Sequence, residues 1–332
     1  MRNKTLLIAT LVLGLLALAA LRLGREEPKP ADSKQPLVET ALLSSLQSFV
    51  VKANGKTATI VKGPDGGWMV KEKFGLPADA EIRLTPLLRS LQKASNHGLL
   101  TANPKRLEKL GLADTSLTLN SPGKSLTIEF GKQTDDGLGN SARYQGQPQA
   151  IRTDFTGDLD GDPASWVDLT LSAARPEEVR TLGFVWADGK KEFSRPAKGQ
   201  PFAGPGGENI ESLAASLATL RVGEAVAKED KEAAAAFAKT FLVTLSFFDG
   251  QTLTLTFGQV AGKAPGETPK TFVRAKHSDP KHKANGYATK AEFTMPSWIM
   301  EQIPASAAAF TKQTQPAPSP AALPSLAVPA VK

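Results

Sequence analysis

The sequence predicts an α+β protein of two tandem homologous β-rich units, with mainly antiparallel sheets, crossing helices and one preceding N-terminal hydrophobic helix. The two halves of the chain resemble each other: residues 126–132 read L-T-I-E-F-G-K and residues 253–259 read L-T-L-T-F-G-Q. Short alternating apolar runs are separated by Asn-Gly and Asp-Gly turns, which are strong hairpin signals. A spacing of about 130 residues indicates domain-sized copies and not a solenoid.

Paired landmarks recur in the same order in both halves. A central strand ends in Phe130-Gly131 in the first half and in Phe257-Gly258 in the second. Further pairs are aromatic residues or strand arginines, namely Trp68 with Phe202, Arg143 with Arg274, and Trp166 with Trp298. We interpret the aromatic and glycine pairs as structural, and we expect each late tryptophan to pack on its own sheet because aromatic side chains bury a large area.

The N-terminus predicts the compartment. Residues 5–21 carry no charge, and a helix of this length rises roughly 25 Å, the short end of a bilayer span. Basic residues flank the run on both sides: Arg2, Lys4, Arg22 and Arg25. We favour an uncleaved anchor over a signal cleaved near Ala17-Leu18-Ala19. Either way, we expect the bulk of a single-pass protein of the bacterial inner membrane to face the periplasm, with residues 5–21 in the lipid bilayer.

Composition limits the chemistry. The chain contains no cysteine, which excludes disulfides, thiolate catalysis and zinc–thiolate sites. The net charge is +7, but residues 1–25 hold four basic and no acidic side chains and leave +3 for the rest. The basic excess is therefore largely a topology signal, and we predict no nucleic-acid partner.

The chain divides at shifts of composition. Three prolines and many charges in residues 25–40 predict an extended stalk, and five prolines from residue 311 onward predict a tail without a core. The predicted segments are an anchor or signal (1–24), a Pro-rich stalk (25–40), a first α+β repeat (41–155), a connector (156–177), a second repeat (178–304) and a disordered Pro/Ala-rich tail (305–332).

The first repeat predicts hairpins followed by helices and four further strands. Asn54-Gly55 and Asp65-Gly66-Gly67 separate three β-type runs. One apolar helix face follows, formed by Leu84, Leu87, Leu88 and Leu91. A short helix over residues 104–110 ends at Gly111 in a left-handed cap, and residues 117–155 alternate as strands.

The second repeat follows the same order, with two departures. Its leucine helix carries Leu213, Leu217 and Leu220. The alanine run 233–236 predicts a longer helix after Asp230, and the loop at residues 260–270 is enlarged.

Two polar clusters are candidate metal sites. Asp158, Asp160 and Asp162 alternate as at the start of a calcium loop, but the twelfth position is Leu169 where that loop needs a glutamate. The simpler interpretation is an acidic turn that caps the helix carrying Trp166. His277 and His282 lie in a lysine-rich segment, where we expect a solvated loop and not a metal pair. The sequence therefore predicts no cofactor.

Arg143 and Arg274 are the candidate groove or partner-binding residues. If the two copies face each other, both guanidinium groups could hold one carboxylate or phosphate. The alternative is that each arginine lies along its own sheet, paired to Asp154 or Glu292 on a neighbouring strand.

The motifs resemble a known family. Trp68-Met69-Val70 precedes Gly75-Leu76-Pro77-Ala78-Asp79, a helix end Leu110-Gly111-Leu112 follows, and then come a Phe-Gly strand end and a strand with an arginine. This pattern resembles the bacterial membrane-anchored family of the domain of unknown function DUF4340. The second half departs from it, with Gly204-Pro205-Gly206-Gly207 in place of the proline–aspartate motif. The resemblance implies a tethered extracytoplasmic protein, and some relatives are encoded beside ABC-type exporters or gliding-type envelope machinery.

The sequence thus predicts a membrane-tethered extracytoplasmic scaffold or adaptor that serves an envelope protein complex and is accessory to a transporter. The alternative is a periplasmic protein that binds a ligand or a cell-wall glycan in a groove between the two repeats. We predict no enzymatic activity, because the residue patterns of nucleophilic and metal chemistry are sparse.

Overall fold

The computed structural model describes residues 35–135, 137–203, 207–262 and 268–308. These residues form an α+β fold with two mainly antiparallel sheets and a few helices, which confirms that part of the predicted fold. The predicted anchor (1–24) and most of the stalk and of the tail lie outside the described residues. Within the described ranges, no helix has the length and apolarity that a membrane span requires.

The secondary structure consists mostly of short elements. The strands, in chain order, are β1 (Gln35–Pro36), β2 (Ser48–Ala53), β3 (Lys56–Lys62), β4 (Trp68–Val70), β5 (Leu76–Pro77), β6 (Ser95–Thr101), β7 (Thr115–Ser121), β8 (Lys124–Gln133), β9 (Asn140–Tyr144), β10 (Ala150–Thr153), β11 (Val179–Trp186), β12 (Gly189–Ser194), β13 (Ala225–Ala227), β14 (Thr240–Phe247), β15 (Thr252–Val260), β16 (Lys270–His277) and β17 (Ala291–Thr294). The α-helices are α1 (Thr40–Ser44), α2 (Thr85–Lys93), α3 (Pro104–Leu107), α4 (Gly207–Ala218), α5 (Lys231–Ala236), α6 (Lys283–Lys290) and α7 (Ser297–Met300). A π-helical turn covers Ala80–Leu84, and 3-10 turns cover Glu108–Leu110, Pro163–Trp166 and Pro176–Glu178.

The chain divides into two compact units. Of the described residues, unit 1 contains those up to Thr59 and those of Glu81–Gly161, and unit 2 contains Ile60–Ala80 and those from Asp162 onward. The sequence prediction kept residues 41–155 together. The difference has a local cause, because Ala78 forms an antiparallel bridge with Val167. The hydrogen bonds of this segment with the connector therefore group Ile60–Ala80 with unit 2.

Unit 1 has the antiparallel strand order β1-β6-β10-β9-β8-β7-β2-β3, with only the first residues of β3 in this unit. Asn54 and Gly55 both have positive φ at the β2–β3 turn, as a type I′ hairpin requires. Buried leucines on α2 (Leu87 and Leu91) confirm the predicted apolar face. The last residues of the predicted stalk are part of the fold, because β1 pairs with β6 and Leu37 is buried.

Unit 2 has a seven-stranded sheet with the order β12-β11-β14-β15-β16-β17-β13. Its Ile60–Ala80 segment adds a small antiparallel ladder, in which the end of β3 pairs with β4 and β4 pairs with β5. Leu213 and Leu217 of α4 are buried, as predicted. Asp230 caps α5 by accepting a hydrogen bond from the Ala233 amide at 2.9 Å.

Candidate functional site

Gly131 and Gly258 are close-contact positions within the two sheets. A Cβ atom on Gly131 would lie 2.3 Å from the carbonyl oxygen of Leu110, where the short helix after β6 ends. A Cβ atom on Gly258 would lie 2.6 Å from the carbonyl oxygen of Ala236, the last residue of α5. Each glycine therefore lets the backbone at a helix end approach a strand, which is a structural role.

The aromatic pairs differ between the two halves. Trp68 is half-buried, and Phe202 is buried beneath the Arg195 guanidinium, whose carbon lies 4.2 Å from the ring centroid. Trp166 is fully buried, but Trp298 is 55% exposed, so the expectation that Trp298 packs on its sheet is not met. The reason is helical geometry: in α7 the neighbouring Ile299 is the buried residue, and adjacent helical positions face different directions.

Each predicted groove arginine is bound to a carboxylate of its own sheet. Arg143 on β9 lies opposite Glu129 on β8, and its Nη2 atom lies 2.6 Å from Glu129 Oε2. Arg274 on β16 reaches Glu292 on β17, with Nη2 2.7 Å from Oε1 and Nε 2.9 Å from Oε2. The own-sheet alternative therefore describes both arginines, although Asp154 is not the partner of Arg143.

Asp154 instead binds the N-terminal end of β6. Its Oδ1 accepts a hydrogen bond from the Ser95 amide at 2.6 Å, and Oδ2 lies 3.1 Å from His97 Nε2. Burial raises the pKa of Asp154, but these hydrogen bonds and the charge of His97 outweigh it, so the pKa lies below its ordinary value.

Glu292 is the centre of a buried ionic cluster in unit 2. Its carboxylate is inaccessible to solvent and receives Lys228 Nζ at 2.8 Å as well as the Arg274 guanidinium. Arg274 also stacks on Phe237, with 3.8 Å between the guanidinium carbon and the ring centroid. Two cations therefore compensate one buried anion, and the cluster accounts for both strand partners without a ligand.

The acidic segment of Asp158, Asp160 and Asp162 is a capping turn, which is the simpler of the two interpretations of its sequence. Arg83 pairs with Asp158 and lies 3.7 Å from Asp160. Asp162 accepts a hydrogen bond from the Ala164 amide at 3.0 Å and so caps the 3-10 turn that carries Trp166. Over the described part of the chain, no group of three or more histidine, aspartate or glutamate side chains is placed to hold a metal ion.

His277 and His282 line a pocket of about 560 Å³ in unit 2. Their rings stack with 3.9 Å between centroids and an interplanar angle of 17°. The solvated-loop prediction is wrong for His277, which is only 7% exposed. Burial lowers the pKa of His282, as do the charges of His277 and Lys283, against a smaller opposing effect of Asp279.

Phe74 is a second feature that the sequence did not reveal. It lies in the turn between β4 and β5, has φ of 58° and is 40% exposed. Bulky residues rarely adopt positive φ, because the Cβ atom crowds the backbone there. Local sequence carries no signal for this conformation, since glycine or asparagine would be expected at such a position.

Comparison with known proteins identifies one family. The family model described as a domain of unknown function (DUF4340) matches residues 68–201. The matched range includes Trp68-Met69-Val70, the motif Gly75-Leu76-Pro77-Ala78-Asp79 and the strand end Phe130-Gly131, on which the resemblance depends. No curated protein and no solved structure matches the chain. Residues 68–201 therefore match the model of the same DUF4340 family that the sequence motifs resemble.

Proposed function

We propose that this protein is a membrane-tethered extracytoplasmic scaffold or adaptor of the bacterial inner membrane, accessory to an envelope transporter complex. The apolar run at residues 5–21 and its basic flanks support the tether. The DUF4340 match supports the family resemblance, and it is the resemblance that implies an envelope location. The bulk of the chain then faces the periplasm and contacts partner proteins there.

The adaptor proposal depends on the backbone conformation and the exposure of Phe74. A left-handed conformation costs a bulky residue roughly 1–2 kcal/mol, and Phe74 nevertheless keeps 40% of its surface exposed. The turn is held in place, because Lys290 Nζ donates to the Gly75 carbonyl at 2.7 Å and Lys73 lies 3.7 Å from Glu224. A strained, exposed and preorganised aromatic residue is typical of a contact site.

Two measurements test the proposal. A topology reporter fused at the C-terminus should be active outside the cytoplasm, and activity only in the cytosol would contradict the tether. A photo-crosslinking amino acid at position 74 should form a discrete protein adduct in intact membranes of the native host. Position 185 is the matched control, because Val185 is also an exposed apolar residue of unit 2. Equal adducts at both positions, or none at position 74, would contradict the adaptor role.

The duplication is part of the same proposal. Its support is that the order β3-β2-β7-β8-β9-β10-β6 corresponds element by element to β12-β11-β14-β15-β16-β17-β13. The register agrees as well, since Phe130 lies opposite Ala142 and Phe257 lies opposite Val273. The two units also correspond at Gly131 and Gly258, because each glycine lies against the end of a helix. A protein that contains two copies of one module can present two binding surfaces.

Ligand binding is the second candidate function. The arginines that the sequence suggested for it, Arg143 and Arg274, each have a carboxylate partner in their own sheet. The pocket lined by His277 and His282 is the observation that favours ligand binding.

A further inference from the structure

We propose that the pocket of unit 2 lined by His277 and His282 binds a small, hydroxylated carboxylate of the sugar-acid class. This inference deepens the ligand-binding candidate and is independent of the membrane tether. Its basis is a pair of preorganised imidazole donors beside two unpaired cations and two carboxylates.

Hydrogen bonding determines the tautomer of both histidines. His277 Nδ1 accepts the Asp279 amide at 3.1 Å, and His282 Nδ1 accepts the Ala284 amide at 3.3 Å. A nitrogen that accepts a hydrogen bond carries no proton, so each neutral ring has its proton on Nε2. The Nε2 atoms therefore offer N–H donors and not the lone pair that a metal ion needs. The pair is suited to a ligand with oxygen acceptors.

Asn285 holds the loop between the two histidines in place. Its side chain accepts the His277 amide at 2.9 Å and donates to the carbonyl groups of His277 and Asp279, at 3.1 and 2.8 Å. Phe247 packs beside His277, with 6.4 Å between ring centroids. His277 is more than nine-tenths buried yet lines the pocket, so its ring is fixed before any ligand arrives.

Two cations of the pocket lack carboxylate partners. Arg175 and Lys281 line the pocket, and neither forms an ion pair within the described ranges of the chain. Two other charged lining residues are already neutralised, because Glu178 pairs with Lys198 and Lys283 lies 3.0 Å from Asp168. Arg175 and Lys281 are therefore the charges available to an anionic ligand.

Asp249 and Asp279 determine which anion fits. Each uses one carboxylate oxygen to accept a backbone amide, from Gln251 and Lys281 respectively, at 2.9 Å. The remaining oxygens can accept hydrogen bonds from hydroxyl groups but would repel a dianion. A monoanionic carboxylate with hydroxyl groups satisfies both the donors and the acceptors of the pocket, whereas a phosphate dianion does not.

Calorimetry with the full chain in detergent micelles tests this assignment. Glucuronate should bind with a millimolar dissociation constant at pH 7, whereas glucose and inorganic phosphate should bind at least about tenfold more weakly. Absence of glucuronate binding at tens of millimolar, or tighter binding of phosphate, would overturn the proposal. Because the assay does not use the tether, its result is distinct from that of the topology reporter.

Two variants and one control locate the binding. His282→Asn retains a residue that caps α6 well but removes the stacked imidazole, and Arg175→Gln removes an exposed cation; each should weaken glucuronate binding about tenfold. Arg180→Gln removes another exposed arginine outside the pocket lining and should leave binding unchanged. Equal affinity in all three variants would overturn the site.

The tautomer is checked separately by nitrogen NMR. The chain has three histidines, so selective labelling gives a pair of nitrogen signals from each of three rings, and His97 is the internal reference. We expect protonated Nε2 in His277 and His282, with no change on addition of zinc. Zinc coordination by Nε2 of both rings would overturn the donor assignment.

Discussion

Unit 1 and unit 2 place an arginine at the same ladder position and neutralise it from opposite sides. Arg143 lies opposite Glu129, which supplies the carboxylate across the β8–β9 pair. Arg274 lies opposite Thr256, which has no charge, and its carboxylate comes from Glu292 on the other neighbouring strand. The comparison shows that an arginine on a sheet strand can be neutralised from either of its two neighbouring strands.

Burial differs between the two pairs. Glu129 and Arg143 retain partial exposure, whereas Glu292 is fully buried and needs a second cation, Lys228. A buried carboxylate costs several kcal/mol unless its lone pairs are satisfied, whereas a partly exposed pair contributes little. We therefore expect unit 2 to depend on its ion cluster and unit 1 to tolerate the loss of its pair.

The largest predicted effect concerns the feature that the two units share. Gly131→Ala and Gly258→Ala should each lower the free energy of unfolding by about 3 kcal/mol or more, because the new Cβ atom would overlap a backbone oxygen. Gly183→Ala is the control, since the nearest atoms lie at an ordinary 3.9 Å, and it should stay within about 0.5 kcal/mol of wild type. Urea unfolding measures all three, and tolerance at one glycine alone would break the equivalence of the units.

The ionic comparison gives the next effect. Glu292→Gln should cost about 2–3 kcal/mol of unfolding free energy, less than for a wholly buried triad because Arg274 and Lys228 can still hydrate. Glu129→Gln should cost less than about 1 kcal/mol. Thermal unfolding of both variants measures the difference, and equal losses would contradict the role assigned to burial.

The sequence predicted the sheets and their helices because those depend on local patterns. Asn54-Gly55 can form a type I′ turn, and Leu87 and Leu91 fall on one helix face, so turn chemistry and periodicity are sufficient there. Gly131 and Gly258 were recognised as a pair, but the helix end against each strand is a long-range contact that spacing does not encode.

The candidate sites were less predictable, because they depend on which strand supplies a partner. Arg143 and Arg274 look equivalent in sequence, yet only the register shows that Glu129 replaces Asp154 as a partner. The stacking of His277 on His282 depends on the bonds made by Asn285, a residue that sequence reasoning had no cause to select. Long-range geometry, not composition, makes these residues functional candidates.

Substitution of Phe74 gives a smaller effect of opposite sign on the free energy of unfolding. It also contrasts the two halves of the chain, because the sequence of the second half lacks the motif that follows Phe74. Phe74→Gly should have a free energy of unfolding about 1 kcal/mol higher than Phe74→Ala, because both variants lack the ring and only glycine adopts positive φ without crowding. The same change should abolish partner contact. A Phe74→Ala variant retains the strain and loses the ring, so it should lose contact without gaining stability. A glycine variant that is no more stable than the alanine variant would show that the positive φ of residue 74 stores no strain, contrary to the basis of the adaptor proposal.

The smallest predicted effect is a difference in the pH at which the two units lose local stability on acidification. The fold lowers the pKa of His282 from 6.5 and therefore favours its neutral imidazole. The contribution of this shift to the stability of the fold is complete above pH 6.5. It is lost as the pH falls towards the pKa of His282 in the folded state. The pKa of Asp154 is lowered from 3.8, so its contribution persists until the pH falls below about 4. The amide protection factors, which correct for the intrinsic pH dependence of exchange, should therefore fall at residues 277–285 of unit 2 as the pH drops below 6.5, while those of residues 95–97 of unit 1 stay unchanged. His282→Asn should remove the pH dependence in unit 2 alone, and simultaneous loosening of both segments would show that the histidine stack does not control it.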